Sequence, residues 1–440
     1  MLIVSVDDAP TRNAPASMRC PPLLIAVLSR LLPIVVLGLA IGVACWPLNL
    51  LDRAQDQLLQ LLPGFEGGGW RPLTVAMACA PLLVMPVLLW LQAGLWSEAA
   101  GSGIPQTLVS LEHPERAAAL LAPKATVQRL MLWSMATLAL LPLGREGPVV
   151  HVGAAVAHSL RQRFPRWLQQ LGRDQLIALA GGAGLAAGFN TPLVGTVFVA
   201  EELTSSFGAK LIWPTLLACV SAAGFSNLGG QPQFALGLLH AIPAEPRQLF
   251  WAIPLGISAG LLGALFGRLL LDTTRWLTPR ARRQPLRVGL VLGLLLSGLT
   301  LASGGFANGD GEALMSWMIG HPDADLPSAG LLLARLVGPC LALGAGVPGG
   351  LIDPAFAIGA VVGQSLGQLL GLGMMGLALG MAAALAGATQ LPVLSVVFAL
   401  RLAGDQQLLP GVVLAAVIGA YCSRLLMKKP VYHALAAGLE

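Results

Sequence analysis

Apolar positions run along this chain in long blocks, broken by short polar or arginine-rich links. The blocks fall near residues 23–51, 73–96, 117–143, 149–160, 174–200 and 211–229, and resume near 249–271, 286–303, 329–347, 355–371, 374–400 and 408–427. A helix needs about 20 apolar residues to cross the hydrocarbon core, and several blocks are shorter than that. Short blocks with glycine and proline at their edges predict half-helices that meet inside the membrane, where irregular backbone is tolerated if it is buried or lines a cavity. The expected fold class is an all-α polytopic membrane protein.

The blocks also repeat. Gly144-Arg145-Glu146-Gly147-Pro148, followed nearby by Gly153, resembles Gly350-Leu351-Ile352-Asp353-Pro354, followed by Gly359, and both stretches go on to Ser-Leu at Ser159-Leu160 and Ser365-Leu366. Leu185-Ala186 through Pro192 to Val197-Phe198 resembles Leu385-Ala386 through Pro392 to Val397-Phe398. The two matches stand in the same order at offsets of 206 and 200 residues, which predicts duplicated halves differing by one small loop. The expected organisation is a cytoplasmic N-terminal segment 1–22, a first membrane half 23–229, a linker 230–248, a second membrane half 249–427 and a short C-terminal segment 428–440, with no regulatory domain after it.

Composition sharpens this picture. Of 440 residues 55% are hydrophobic and 11% charged, and mean hydropathy is +0.75. A soluble domain carries about a quarter charged residues. The net charge of +5 does not indicate nucleic acid, because the basic residues collect in links and at block ends: Arg161, Arg163, Arg166 and Arg173; Arg275, Arg280, Arg282, Arg283 and Arg287; Arg424, Lys428 and Lys429. Such groups mark the cytoplasmic side of a membrane protein. The six cysteines are scattered without a CxxC pair, so neither a metal site nor a disulfide framework is expected. The polar start does not have the form of a cleavable signal peptide, which predicts a retained first span with the N-terminus inside.

Several places carry candidate chemistry. Gly101-Ser102-Gly103-Ile104-Pro105 follows an apolar block. Its glycines allow close backbone approach, and a helix started at the proline would present unpaired N–H groups beside a serine hydroxyl, an anion site without full positive charge. Taken alone, the pentapeptide reads first as an ordinary glycine-serine turn. Glu146 lies between two apolar blocks at a helix start, where N–H groups suit a carboxylate as well as chloride. Ionised, it would fill an anion site; protonated, it would leave. A capping glutamate at the membrane interface is the other reading. Gly349-Gly350-Leu351-Ile352-Asp353-Pro354 is the repeat mate of that motif or a plain helix boundary. Tyr432, one of two tyrosines, would offer an O–H donor to an anion or sit in an interfacial belt. Glu201 and Glu202 close a further block, either exposed at the membrane edge or with one of them at the inner end of a proton path.

Together, Gly-Ser-Gly-Ile-Pro, Gly-Arg-Glu-Gly-Pro, Gly188-Phe189-Asn190-Thr191-Pro192 and Tyr432 resemble the CLC chloride channel and transporter family in order and spacing, from about residue 30 to 433. The resemblance implies a homodimer in the lipid bilayer, each subunit with its own anion path between two inverted halves, and no cofactor or metal. It implies that Ser102 and Tyr432 flank the central anion from the inner side, that backbone N–H groups of Leu351 and Ile352 complete the site, and that Glu146 beside Gly147 is the external gate. Glu202 matches the internal proton-transfer residue of coupled antiporters, and serine at 102 favours chloride over nitrate or fluoride. The chain departs from the family's Gly-x-Phe-x-Pro at Ile352, which leaves backbone donors intact, and at Asp353. A carboxylate about 4 Å from an anion would repel it by about 4 kcal/mol at an effective dielectric near 20. Asp353 is therefore expected to point away from the ion or to be protonated.

The expected function is secondary active exchange of chloride for protons, in a bacterial inner membrane with both termini cytoplasmic. The alternatives are a passive voltage- or pH-gated chloride channel on the same scaffold and a transporter of another halide or oxyanion. No HExxH or GxSxG motif is present, so an intramembrane hydrolase has no support.

Overall fold

The computed structural model describes residues 22–166, 171–226, 228, 247–321, 324, 328–403 and 408–439. The expected N-terminal segment, apart from Pro22, and the expected linker, apart from Arg247 and Gln248, lie outside the described residues. Within them every regular element is helical, and the one isolated bridge joins Gly144 to Gly350. Six helical segments are long and apolar enough to cross a membrane: Leu31–Gln60, Pro72–Ala93, Ala209–Ser226, Leu249–Arg283, Pro285–Ala302 and Leu409–Ala436. The first helix, Pro22–Gln60, runs past the expected block end near 51. It continues because its polar residues find partners inside the protein: Asp52 pairs with Arg145, and the Gln55 amide donates to the Thr137 carbonyl at 2.8 Å.

The duplication seen in the sequence is physical. Helix Glu146–Arg163 answers Ile352–Leu370, Arg173–Phe189 answers Met374–Thr389, and Ala209–Ser226 answers Leu409–Leu426. Even the caps agree: Asn190 and Gln390, 200 residues apart, are both left-handed, at φ 49° and 63°. Close packing repeats as well. A Cβ on Gly153 would strike the Ala180 carbonyl, and one on its mate Gly359 would strike the Gly380 carbonyl, so each half depends on glycine to bring two helices together. Arg173–Phe189 and Met374–Thr389 are buried almost throughout and apolar on every face.

The halves meet at equivalent residues. Gly144 N–H donates to the Gly350 carbonyl at 3.1 Å, and Gly350 N–H returns the bond to Gly144 at 2.8 Å. A reciprocal antiparallel pair between repeat mates is a local two-fold axis, and it lies at the start of both Glu146–Arg163 and Ile352–Leu370. Away from this axis, large apolar side chains face outward, among them Leu83, Trp213, Leu294 and Leu425. Exposed apolar surface on that scale is what a bilayer or a partner subunit covers.

Candidate anion and proton site

Glu146 opens its helix at the two-fold axis and is completely buried. Its carboxylate does not cap its own helix alone. Oε1 accepts a 2.6 Å hydrogen bond from the backbone N–H of Asp353, in the first turn of the opposing half's helix. Oε2 has no hydrogen-bond partner and rests over Gly350, where a Cβ would overlap it. The carboxylate of one half thus sits on the helix N-terminus of the other, where backbone dipoles favour negative charge. Leu351 and Ile352 hold the N-cap and first position of that helix, but the donor engaged by Glu146 is the next amide along, that of Asp353. Asp353 itself is fully buried and neither carboxyl oxygen has a hydrogen-bond partner.

Ser102 sits beside Gly147, whose α-carbon has no room for a side chain between Ser102 and the Gly349 carbonyl. Gly101 and Gly103 have φ of 87° and 120°, which only glycine adopts without strain, so the motif is more than a generic turn. The turn is held from several sides. Gln106 accepts from Gly103 N–H at 2.8 Å and donates to the Ala100 carbonyl at 2.9 Å, while Gly101 N–H donates to Gly346 of the other half at 2.7 Å. The buried Arg129 guanidinium donates to the carbonyls of Glu98, Ala99 and Ala100. The Ser102 hydroxyl is left with no hydrogen-bond partner, and so is that of Tyr432. Tyr432 is fully buried, so it is no belt tyrosine. Buried polar groups nearly always have a partner, so hydroxyls that no protein group satisfies are open to a ligand or to water. Ser102 and Leu351 line a cavity of about 530 Å³ whose walls also include Arg275, Arg282 and Arg283.

Arg145, next to Glu146, belongs to a buried ionic cluster. Arg145 pairs with Asp52 and, at 3.4 Å, with Glu312, and its guanidinium lies 4.6 Å from the Phe189 ring. Asp56 and Asp310 lie nearby, and Asp310 caps the amide of Glu312 at 2.9 Å. The Asp52, Asp56 and Glu312 oxygens are close enough to share a cation, and the Arg145 guanidinium already supplies one.

The acidic pair divides its roles. Glu201 spans the halves, accepting from the N–H groups of Val393 and Leu394 at 3.1 and 2.7 Å at the start of Pro392–Ala403. Glu202 is buried and so is not at the exposed membrane edge. It lies in a wide π turn, Val199–Leu203, and its Oε1 is 3.6 Å from His433 Nε2. The sequence reading passed over His433, Arg129 and the ionic cluster. Spacing gives no sign of His433, since it reaches Glu202 only through folding. A third repeat was also legible but missed: Gly309-Asp310-Gly311 matches Gly101-Ser102-Gly103, with φ of 63° and 116° at its glycines, and Arg335 clamps it through the carbonyls of Phe306, Asn308 and Gly309 as Arg129 clamps the first.

A helical bundle of this topology, duplicated about a carboxylate seated on a helix N-terminus, defines an ion-transport fold. The model of the voltage gated chloride channel family matches residues 82–424, and the chain belongs to that family. Among its relatives, the voltage-gated ClC-type chloride channel ClcB of Escherichia coli O9:H4 (strain HS) is 31% identical over 302 residues, covering 66% of this chain and 71% of that protein. Solved structures share the fold: a slow cyanobacterial Cl–/H+ antiporter (TM-score 0.74, 22% identity, 93% of this chain and 98% of that one) and a CLC-type fluoride/proton antiporter (TM-score 0.74, 23% identity, 94% and 99%). The protein is thus an integral membrane protein of the CLC fold.

Proposed function

We propose that this protein is a secondary transporter that exchanges chloride for protons, and that it works as a homodimer in a bacterial inner membrane with both termini in the cytoplasm. The observation that carries the reading is the Glu146 carboxylate on the Asp353 amide, because an acid that occupies an anion site makes protonation and anion binding compete. The names of its relatives support chloride as the ion.

The cycle follows from the charges. Chloride enters from the cytoplasm through the cavity flanked by Arg275, Arg282 and Arg283, loses its water, and is held by the Ser102 and Tyr432 hydroxyls with the amides of Leu351, Ile352 and Gly147. A proton neutralises Glu146, which then gives up its place on the helix N-terminus to chloride. On the return, the proton passes to Glu202 and the cytoplasm. Lining of the cavity by arginine supports its assignment to the inner side. The apolar outer faces of Ala209–Ser226 and Leu409–Leu426, which carry Trp213 and Leu425, offer surface for lipid and the second subunit.

A passive channel on the same scaffold is the second reading; the burial of Glu202 favours exchange, since a pore has no use for a buried internal acid. The deciding experiment is proton flux into sealed liposomes under an imposed chloride gradient. Exchange predicts protons moving against their own gradient, abolished by Glu202→Gln while chloride flux persists. Chloride flux without proton movement would establish a channel.

A further inference from the structure

Glu202 is buried deep enough that it needs a carrier to meet the cytoplasm, and one side chain is placed to serve. His433 sits next to Tyr432 on the short helix Val431–Ala436, which packs against Ile104–Glu112 and Arg247–Arg283. Its imidazole is 36% exposed, while the Glu202 side chain is 1% exposed, and Nε2 stands 3.6 Å from Glu202 Oε1, an oxygen without a hydrogen-bond partner. One ring is therefore both partly exposed and next to the buried acid. We propose that His433 is the proton carrier between the cytoplasm and Glu202, which deepens the exchange reading above and rests on it.

The chemistry suits the residue. Imidazole is the side chain that gains and loses a proton in the physiological range, and it accepts on one nitrogen while donating from the other. In the inward step Glu202 gives its proton to neutral imidazole, leaving a carboxylate beside an imidazolium; the imidazolium then releases a proton to water and the ring returns to neutral. The 3.6 Å gap is just beyond hydrogen-bond length, and a small side-chain rotation or one bridging water closes it. The adjacent Glu201 is within electrostatic reach of Glu202 but outside ion-pair reach of the ring. Among the described residues Glu202 is the ionisable group within ion-pair reach of the ring. Glu201 is engaged by the Val393 and Leu394 amides, Tyr432 OH is buried on the anion side, and the neighbouring helices contribute Glu112, Arg275, Arg282 and Arg283 at greater distance.

The test is chloride-driven proton uptake by the full-length protein in liposomes, comparing wild type, Glu202→Gln, His433→Gln and His433→Ala. Wild-type pumping that stops in Glu202→Gln upholds exchange itself. A lost acid–base group slows proton transfer by about 10²-fold or more, so both His433 variants are expected to pump at a small fraction of the wild-type rate. Imidazole buffer on the cytoplasmic side should restore much of the flux in His433→Ala, which a merely structural role would not allow. Chloride binding by calorimetry should be retained in both variants. Full pumping without His433, a deficit that imidazole leaves untouched, or loss of chloride binding in both variants would each overturn the inference. If wild type itself moves no protons uphill, the exchange reading falls first.

Discussion

Two loops in this molecule share a backbone and differ in their chemistry. Gly101-Ser102-Gly103 and Gly309-Asp310-Gly311 have the same pair of left-handed glycines, each leads into a nine-residue helix, and each is clamped by a buried arginine through three carbonyls. The first presents a neutral hydroxyl on the wall of a cavity that three arginines also line. The second presents a carboxyl within electrostatic reach of Glu146 and beside other acids. Duplication supplied the scaffold twice, and one side chain on each copy decides what approaches. In the proposed cycle the serine loop holds chloride, while the aspartate loop stands within electrostatic reach of the acid that a proton neutralises.

The largest effects should come from the clamps. Arg335→Met leaves three buried carbonyls without their donor, at about 1–3 kcal/mol each, so a drop in thermal stability of the detergent-solubilised protein is expected. Arg129→Met should cost a similar amount and, unlike its mate, also abolish chloride binding by calorimetry, because it releases the Ser102 turn. Equal effects of the two on chloride would break the comparison. At the axis, Gly350→Ala puts a methyl where Glu146 Oε2 rests, an overpacking of about 1–3 kcal/mol. The carboxylate should lose its hold about tenfold, and chloride flux should lose most of its dependence on external pH.

Smaller effects separate the two loops directly. Ser102→Ala removes one neutral hydrogen bond, about 1 kcal/mol, and should weaken chloride binding about fivefold; Asp310→Asn should leave chloride affinity within about twofold while altering the external pH profile of proton flux. Replacing Arg275, Arg282 and Arg283 together by Gln should slow chloride entry several-fold at low salt and very little near 1 M, where charges are screened beyond about 3 Å. The smallest effect expected is on chloride affinity in Asp353→Asn, since this acid meets the site through its backbone amide. A change above about tenfold would show that its charge faces the ion at close range, at about 1.4 kcal/mol per decade.

Much of the architecture was legible in order along the chain. Blocks of helical length gave the membrane helices, and the matches at Gly144/Gly350 and Pro192/Pro392 gave the duplication, because symmetric halves conserve the glycines and prolines that shape the backbone. The third repeat escaped notice because only two glycines persist in it while Ser102 and Asp310 diverge. The first helix was read too short because Asp52 and Gln55 look like the end of a span when their partners, Arg145 and Thr137, are not in view.

What the sequence determined by itself is the periodic and local part: apolar blocks, helix starts set by glycine and proline, and the identity of the acids near them. These rest on interactions between residues a few positions apart. What tertiary structure alone decided is which groups meet. Glu146 crosses 207 positions to the Asp353 amide, Glu201 crosses 192 to Val393, and Glu202, in the middle of the sequence, finds the distant His433. Buried charge is costly unless a partner or a helix dipole receives it, so packing selects those partners from the whole chain, and no local pattern records the choice.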